Sequence, residues 1–261
     1  MGNVHIVART GHFSRLPKGY LTKAALLEYD EKGYAPIHYA AQYGHLSQIR
    51  PFLTQPTLTF RANNSRKQSP LHLAMEHISQ VPKEFLTKEN ILLQDATGWT
   101  PLHAIAQAGR LSSIPSALLT EANLTFGDNG NDTPLHCAAR FGFMEAITHL
   151  INAKSMNIKN DKGLTPLYTL AACGYAYKLP QHIFTAENLL NESPPELSGH
   201  HGSRPIDALV AYQELDLILG VELPESCREL VGDLWFRRNQ ELIKTRTNTA
   251  MVDPSVDIDV F

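Results

Sequence analysis

One pattern recurs at a near-constant interval along this chain and restricts its fold more than any other feature. Aligned, the copies read APIHYAAQYGHL (35–46), SPLHLAMEH (69–77), TPLHAIAQAGRL (100–111), TPLHCAARFGFM (133–144) and TPLYTLAACGYA (165–176). Their prolines, Pro36, Pro70, Pro101, Pro134 and Pro166, lie 34, 31, 33 and 32 residues apart. A period of this size marks a stacked array of small units. Two weaker copies flank the set. GNVHIVARTGHF (2–13) keeps His5, Ala8, Gly11 and His12 but has Asn3 in place of proline. RPIDALVAYQEL (204–215) keeps Pro205 and the apolar pattern but has Asp207 in place of histidine.

Each copy reads as a helical hairpin. Thr or Ser before Pro starts a helix, because the hydroxyl caps orphan N–H groups and proline tolerates the first helical position. Apolar and small residues such as Leu102, Ile105 and Ala106 follow at helical spacing. Gly44, Gly109, Gly142 and Gly174 then end that helix. A second apolar run predicts a second helix, with its anchor aligned in every copy: Leu16, Ile49, Val81, Ile114, Ile147, Leu179 and Ile218. One hairpin cannot bury both apolar faces, whereas stacked copies shield one another.

The residues T-P-L-H-x-x-A-x-x-G at a period near 33 resemble the ankyrin repeat, over roughly residues 1–220. The resemblance implies an all-α solenoid of helix-turn-helix units with loops projecting from one side. The family's usual G-A-D-V-N-A segment is absent. In its place stands LLT-x-E-N-L, as FLTKENILLQD (85–95), LLTEANLTFGD (118–128) and IFTAENLLNES (183–193), with YLTKAALLEYD (20–30) as a looser copy. Thr87, Thr120 and Thr185 read as caps of an extra short helical turn, followed by Asn90, Asn123 and Asn188. Pro17, Pro82, Pro115 and Pro180 enter the second helix and should shorten it. The third copy lacks its glycine, and Pro70 to Val81 is two residues shorter than Pro101 to Ile114, which predicts a compressed turn.

The expected units are near 1–32, 33–66, 67–97, 98–130, 131–162, 163–201 and 202–220, in one continuous domain. NESPPELSGHHGSR (191–204) reads as an enlarged loop. Residues 221–246 read as a C-terminal capping helix, with Cys227, Leu230, Val231, Leu234 and Trp235 on one face. The final 247–261 reads as a flexible tail whose VDIDVF could instead add as a strand to a partner.

Composition narrows function. Lys plus Arg number 23 and Asp plus Glu 26, a formal charge of −3, which argues against broad attraction to nucleic acid or an anionic membrane. Cys137, Cys173 and Cys227 are odd in number and widely spaced, so neither a disulfide framework nor a structural zinc site is expected. The N-terminus lacks a signal-peptide pattern, and no stretch reaches the roughly 20 apolar residues of a membrane span. The expectation is a cytoplasmic monomer, with a secreted effector as the alternative.

Candidate chemistry is sparse. His5, His38, His72, His103 and His136 hold one position in successive copies, where the family resemblance implies that they brace loop backbone. They cannot share a metal, because zinc needs ligands at about 2 Å and equivalent residues of stacked helices lie about 8–10 Å apart. No P-loop, G-x-G-x-x-G, H-E-x-x-H or G-x-S-x-G occurs, so no catalytic, metal or cofactor site is expected. Cys137 falls in the apolar part of a first helix and reads as core.

Protein binding is therefore the expected function, without chemistry. In arrays of the resembled family, partners meet the loop tips and the exposed side of the first helix. Carried onto this sequence, those positions give Lys32, Tyr34, Gln42, Tyr43, Arg66, His77, Trp99, Gln107, Asp132, Arg140, Phe141 and Tyr212. Tyr43, Phe141 and Tyr212 follow the small Ala-type positions where a solvated helix would more often be polar, and exposed aromatics and arginine are typical interface anchors. The alternatives are a truncated or scaffold segment of a larger ankyrin protein and, less favoured, an enzyme subunit with a site near 191–204.

Overall fold

A computed structural model describes residues 3–192 and 204–252 of the chain. It is all-α, and no strand occurs among the described residues. Residue contacts divide it into two compact units, Met1–Ile151 with Lys159–Asp161 and Asn152–Ile158 with Lys162–Phe261. The α-helices of the first unit are α1 (Asn3–Thr10), α2 (Lys23–Leu26), α3 (Pro36–Gln42), α4 (Gln55–Leu58), α5 (Pro70–Leu73), α6 (Lys88–Ile91), α7 (Pro101–Gln107), α8 (Glu121–Leu124) and α9 (Pro134–Arg140). The odd-numbered ones are the first helices of copies one to five. Each packs on the next, α1 on α3, α3 on α5, α5 on α7 and α7 on α9.

Local chemistry explains these helices. Thr100 and Thr133 stand in extended backbone and their hydroxyls accept the N–H of His103 and His136, with proline at the first helical position. Ile37, Leu102, Ile105 and Leu135 are fully buried between copies, each worth about 1.5–3 kcal/mol in apolar transfer. Ala40, Ala41, Ala106, Ala138 and Ala139 let the backbones approach. Gly109 ends α7 at φ +67, and a Cβ there would lie 2.9 Å from the Phe143 ring, so it serves both the turn and the next copy's packing.

The second apolar run does not form the full helix that its periodicity predicts. It is a 3₁₀ turn at Phe13–Arg15, Leu46–Phe52, Met75–Gln80 and Leu111–Ser113. In copies one, three and four proline is the cause. Leu16, Val81 and Ile114 each precede a proline and are extended, with ψ of 135°, 124° and 158°, as the ring's clash with the preceding residue requires. A separate 3₁₀ turn follows Pro82 and Pro115, at Lys83–Phe85 and Ser116–Leu118. The anchors keep their task nevertheless: Ile49, Val81, Ile114 and Ile147 are buried, and Leu16 half-buried.

In the first unit α2, α6 and α8 are the short turns predicted from LLT-x-E-N-L. Thr87 and Thr120 accept the N–H of Asn90 and Asn123, and each buried asparagine donates its amide back to a carbonyl, Phe85 O at 2.7 Å and Leu118 O at 2.8 Å. Copy two makes the same turn in other letters, at α4. Thr54 caps Thr57, whose hydroxyl donates to Phe52 O at 2.9 Å.

In the second unit, α10 (Pro166–Ala172) packs on α12 (Pro205–Ala211), with α11 (Ala186–Leu189) capped by Thr185. Then follow α13 (Arg228–Val231) and α14 (Asp233–Val252). The expected single helical face of 227–235 is corrected here. Gly232, at φ +84, separates the two helices and resets the phase. Cys227 and Val231 are buried, but Leu234 is 84% exposed, and Phe236 and Asn239 turn inward instead. Asn239 accepts from Gly220 N at 2.6 Å and donates to Val221 O at 2.8 Å, tying α14 to the chain before it. α14 continues past 246 to Val252, so the expected tail begins as helix, and VDIDVF lies outside the described residues. His200 and His201, with most of the 191–204 loop, also lie outside them.

Candidate interaction surface

The loops before each first helix are tight fingers of one construction. The Oδ1 of Asp30, Asp95 and Asp128 accepts from the amides two and four residues on, Lys32 and Tyr34, Thr97 and Trp99, Gly130 and Asp132, at 2.8–3.1 Å. Asn64 Oδ1 accepts instead from the amides two and three residues on, Arg66 and Lys67, each at 3.1 Å. These side chains replace backbone partners in an Asx turn. The fingers are also laced to one another: Asn63 N donates to Gly33 O, Ala96 N to Arg66 O, Asn129 N to Thr97 O and Asp161 N to Gly130 O, at 2.8–3.0 Å. At Gly33, φ is +75 and a Cβ would meet Asn63 O at 2.1 Å, so only glycine fits beside the neighbouring finger. Copies three and five put Lys67 (φ +52) and Asn131 (φ +56) at the equivalent place.

The histidine ladder fixes fingers to helices. His72 accepts the Ser69 N–H on Nδ1 at 3.1 Å, and its Nε2–H donates to Trp99 O at 3.1 Å. His103 accepts from Thr100 N and donates to Asp132 O at 2.9 Å; His38 accepts from Ala35 N and donates to Phe60 O at 3.0 Å. His72 and His103 thus bridge their own helix starts to the next copy, and His38 ties its helix start to the segment that leads into it. Burial lowers the pKa of His38 and His72 to about 4, and lowers that of His103. Beside the second finger, Arg9 lies over the Tyr39 ring at 4.1 Å and 3.7 Å from Asp30, which also accepts the Tyr39 hydroxyl at 2.7 Å. Burial pushes the Asp30 carboxyl up, but the bonds from Tyr39, Tyr34 and Lys32 outweigh it and hold it below the ordinary value.

The surface between α3 and α7 is notched. α5 has four residues where its neighbours have seven, so about 4.5 Å of helix is missing at 1.5 Å per residue. The gap is a cavity of about 500 Å³, lined by Tyr34, Gln42, Arg66, Trp99 and Gln107 with Leu73 and Met75. A second cavity of about 370 Å³ shares Gln42, Leu73 and Met75 and adds Tyr43, Glu76 and His77.

Seven of the twelve carried-over residues therefore border one continuous depression: Tyr34, Gln42, Tyr43, Arg66, His77, Trp99 and Gln107. Their freedom differs. Tyr43 is 47% exposed, whereas Trp99 is half-buried and lies 4.9 Å from the His103 ring, and the His77 ring packs against Gly44 of the preceding copy. Lys32 is exposed on its finger. Asp132 and Arg140 pair with each other at 3.7 Å, and Asn160 also donates to Asp132 at 2.6 Å. Phe141 is 41% exposed and stacks on Phe143 at 6.1 Å, a residue the sequence did not single out. Tyr212 belongs to the second unit, where its hydroxyl donates to Ala172 O at 3.2 Å and its ring lies over Gly174. Leu73 and Met75 were also missed, because in longer copies the equivalent positions are internal to the helix.

Cys137 is buried, which pushes its thiol well above the ordinary range, as suits a core residue. Among the described residues no cluster of His, Cys, Asp and Glu could hold a metal ion, and no helix is long and apolar enough to cross a membrane.

A comparison with curated proteins gives no match. The family model for ankyrin repeats (3 copies) matches residues 37–126 and again 71–159, the stretch that carries the histidine bridges and every finger but the one at Asp30–Tyr34. Such repeats are generally protein-interaction modules, and the family is typically non-catalytic. With the repeated T-P-L-H helices and the stacked all-α units, this match shows that residues 37–159 belong to the ankyrin-repeat family.

Proposed function

We propose that the chain binds a protein partner reversibly through the fingers and first-helix ends of copies two to five, and performs no chemistry of its own. The observation that carries this reading is the depression at copy three, bordered by residues from three successive copies and rimmed by exposed Tyr43 and Arg66. Aromatic and arginine side chains around a recess are what interface anchors require. The fingers that present them are held by Asx turns and inter-finger bonds, so little order has to be gained on binding.

The test is affinity capture from the source lysate by wild type and by Tyr43→Ala/Gln107→Ala/Phe141→Ala. All three side chains are exposed, so the variant should keep its helicity. A partner held by wild type and lost by the variant supports this surface. Equal capture by both puts the interface elsewhere.

A further inference from the structure

The notch at copy three has a donor-rich lining that selects the chemistry of its occupant. The Arg66 guanidinium, the Tyr34 hydroxyl and the side-chain amides of Gln42 and Gln107 make no hydrogen bond or ion pair among the described residues, yet all four line the same cavity. The one carboxylate in that lining, Asp95, is committed to the finger. Its Oδ1 takes Thr97 N at 2.8 Å, Thr97 Oγ1 at 2.7 Å and Trp99 N at 3.1 Å. The finger above, residues 61–68, carries Arg61, Arg66 and Lys67 with no acid. The exposed carboxylate nearby, Glu76, belongs to the adjoining cavity.

We propose, building on the protein-binding reading, that this notch takes an extended segment of the partner bearing one Asp or Glu side chain, paired to Arg66. Gln42 and Gln107 supply donors for the backbone carbonyls on either side of that residue. Charge complementarity names the side chain: a planar guanidinium presents two parallel N–H groups to a carboxylate. Size names the form. A cavity of about 500 Å³ is in the range of small-ligand clefts, and the second cavity continuing from it gives a trough that a single small carboxylate would leave largely empty. The formal charge of −3 on the chain disfavours a nucleic acid there.

An array of nine-residue peptides with random flanks and a fixed central Glu, Gln or Lys, probed with the full chain, tests this. Glu-centred peptides should be retained about tenfold more strongly than Gln-centred ones, and Lys-centred ones least, a factor of ten being about 1.4 kcal/mol. Arg66→Glu should invert the order. Arg66→Lys should keep the order with a smaller margin, because lysine cannot bind bidentately. The exposed, unpartnered Arg66 side chain means that melting of both variants should match wild type, which separates lost recognition from lost fold. Equal retention of Glu and Gln centres, a preference untouched by Arg66→Glu, or no retention of any peptide would overturn the proposal. If the lysate partner is still captured in those cases, the protein-binding reading stands without it; if none is captured either, both fall.

Discussion

The histidine ladder makes the first unit sensitive to mild acid, by an amount that can be worked out. His38 and His72 titrate near 4 when folded because they are buried, against an ordinary value of 6.5. The unfolded chain thus binds more protons than the folded one between those values. The stability that the neutral rings contribute is complete above pH 6.5 and is lost as pH falls towards 4. Between pH 7 and 5 the loss is about 2 kcal/mol for each ring and about 4 kcal/mol for the two. His103, shifted in the same direction, adds to it. Nδ1 also accepts a fixed backbone N–H, Ala35 N at 3.1 Å or Ser69 N at 3.1 Å, a bond that protonation of that nitrogen would break. Asp30, held below the ordinary carboxylate value, titrates beneath this window. Urea unfolding at pH 7 and 5, read from Trp99 in a Trp235→Phe background, measures the difference. His72→Gln should remove about half of the part due to His38 and His72. Equal stability at the two pH values, or an undiminished pH dependence in His72→Gln, would refute the reasoning.

Further outcomes follow from single contacts. Gly33→Ala should destabilise by several kcal/mol, because its Cβ meets Asn63 O at 2.1 Å, whereas Gly19→Ala, with nothing within 4 Å, should cost only about 1 kcal/mol of backbone strain; thermal melting separates them. Lys67→Gly should stabilise by roughly 1 kcal/mol, since φ +52 suits glycine and strains lysine. Asn123→Ala should cost about 1–3 kcal/mol by leaving Leu118 O without its donor, read from the shift of the urea midpoint. Phe236→Ala should cost about 3–5 kcal/mol and Leu234→Ala next to nothing, the reverse of what an unbroken helix over 227–235 would give.

The first helices were legible because their signals are chemical and local: hydroxyl, proline, apolar spacing, glycine. The short turns at Thr87, Thr120 and Thr185 were legible for the same reason. Those at Thr54–Thr57 and Asn152–Ser155 were not, although Asn152 Oδ1 accepts Ser155 N at 2.9 Å just as a capping threonine would. There the bond is kept while the letters change. The second helix was over-read because anchors such as Val81 and Ile114 fix what is buried, and burial does not distinguish a 3₁₀ turn from a full helix. The face of 227–235 was misphased because one positive-φ glycine at 232 rotates everything after it. Positions carried over from the family gave exposed residues in Tyr43, Arg66 and Phe141, but not the packing of His77 on Gly44 or of Tyr212 on Gly174.

The notch itself could be read only as a missing glycine and two missing residues, yet the structure explains why the array tolerates it. At copy three the start of the first helix keeps its stacking contacts. In the shortened α5, Leu71 and His72 remain buried, and His72 still bonds both Ser69 and Trp99. The turn that α5 lacks corresponds to the end of α3 and α7, where Gln42 and Gln107 are exposed. At copy three stability and surface thus separate along one helix, and nearest-neighbour stacking means that a change there is felt only by adjacent copies. A deletion at the C-terminal end can therefore open a recess without unstacking the units on either side. The same separation leaves Arg66 and Gln107 replaceable at little cost in stability, whereas Leu71 and His72 are not.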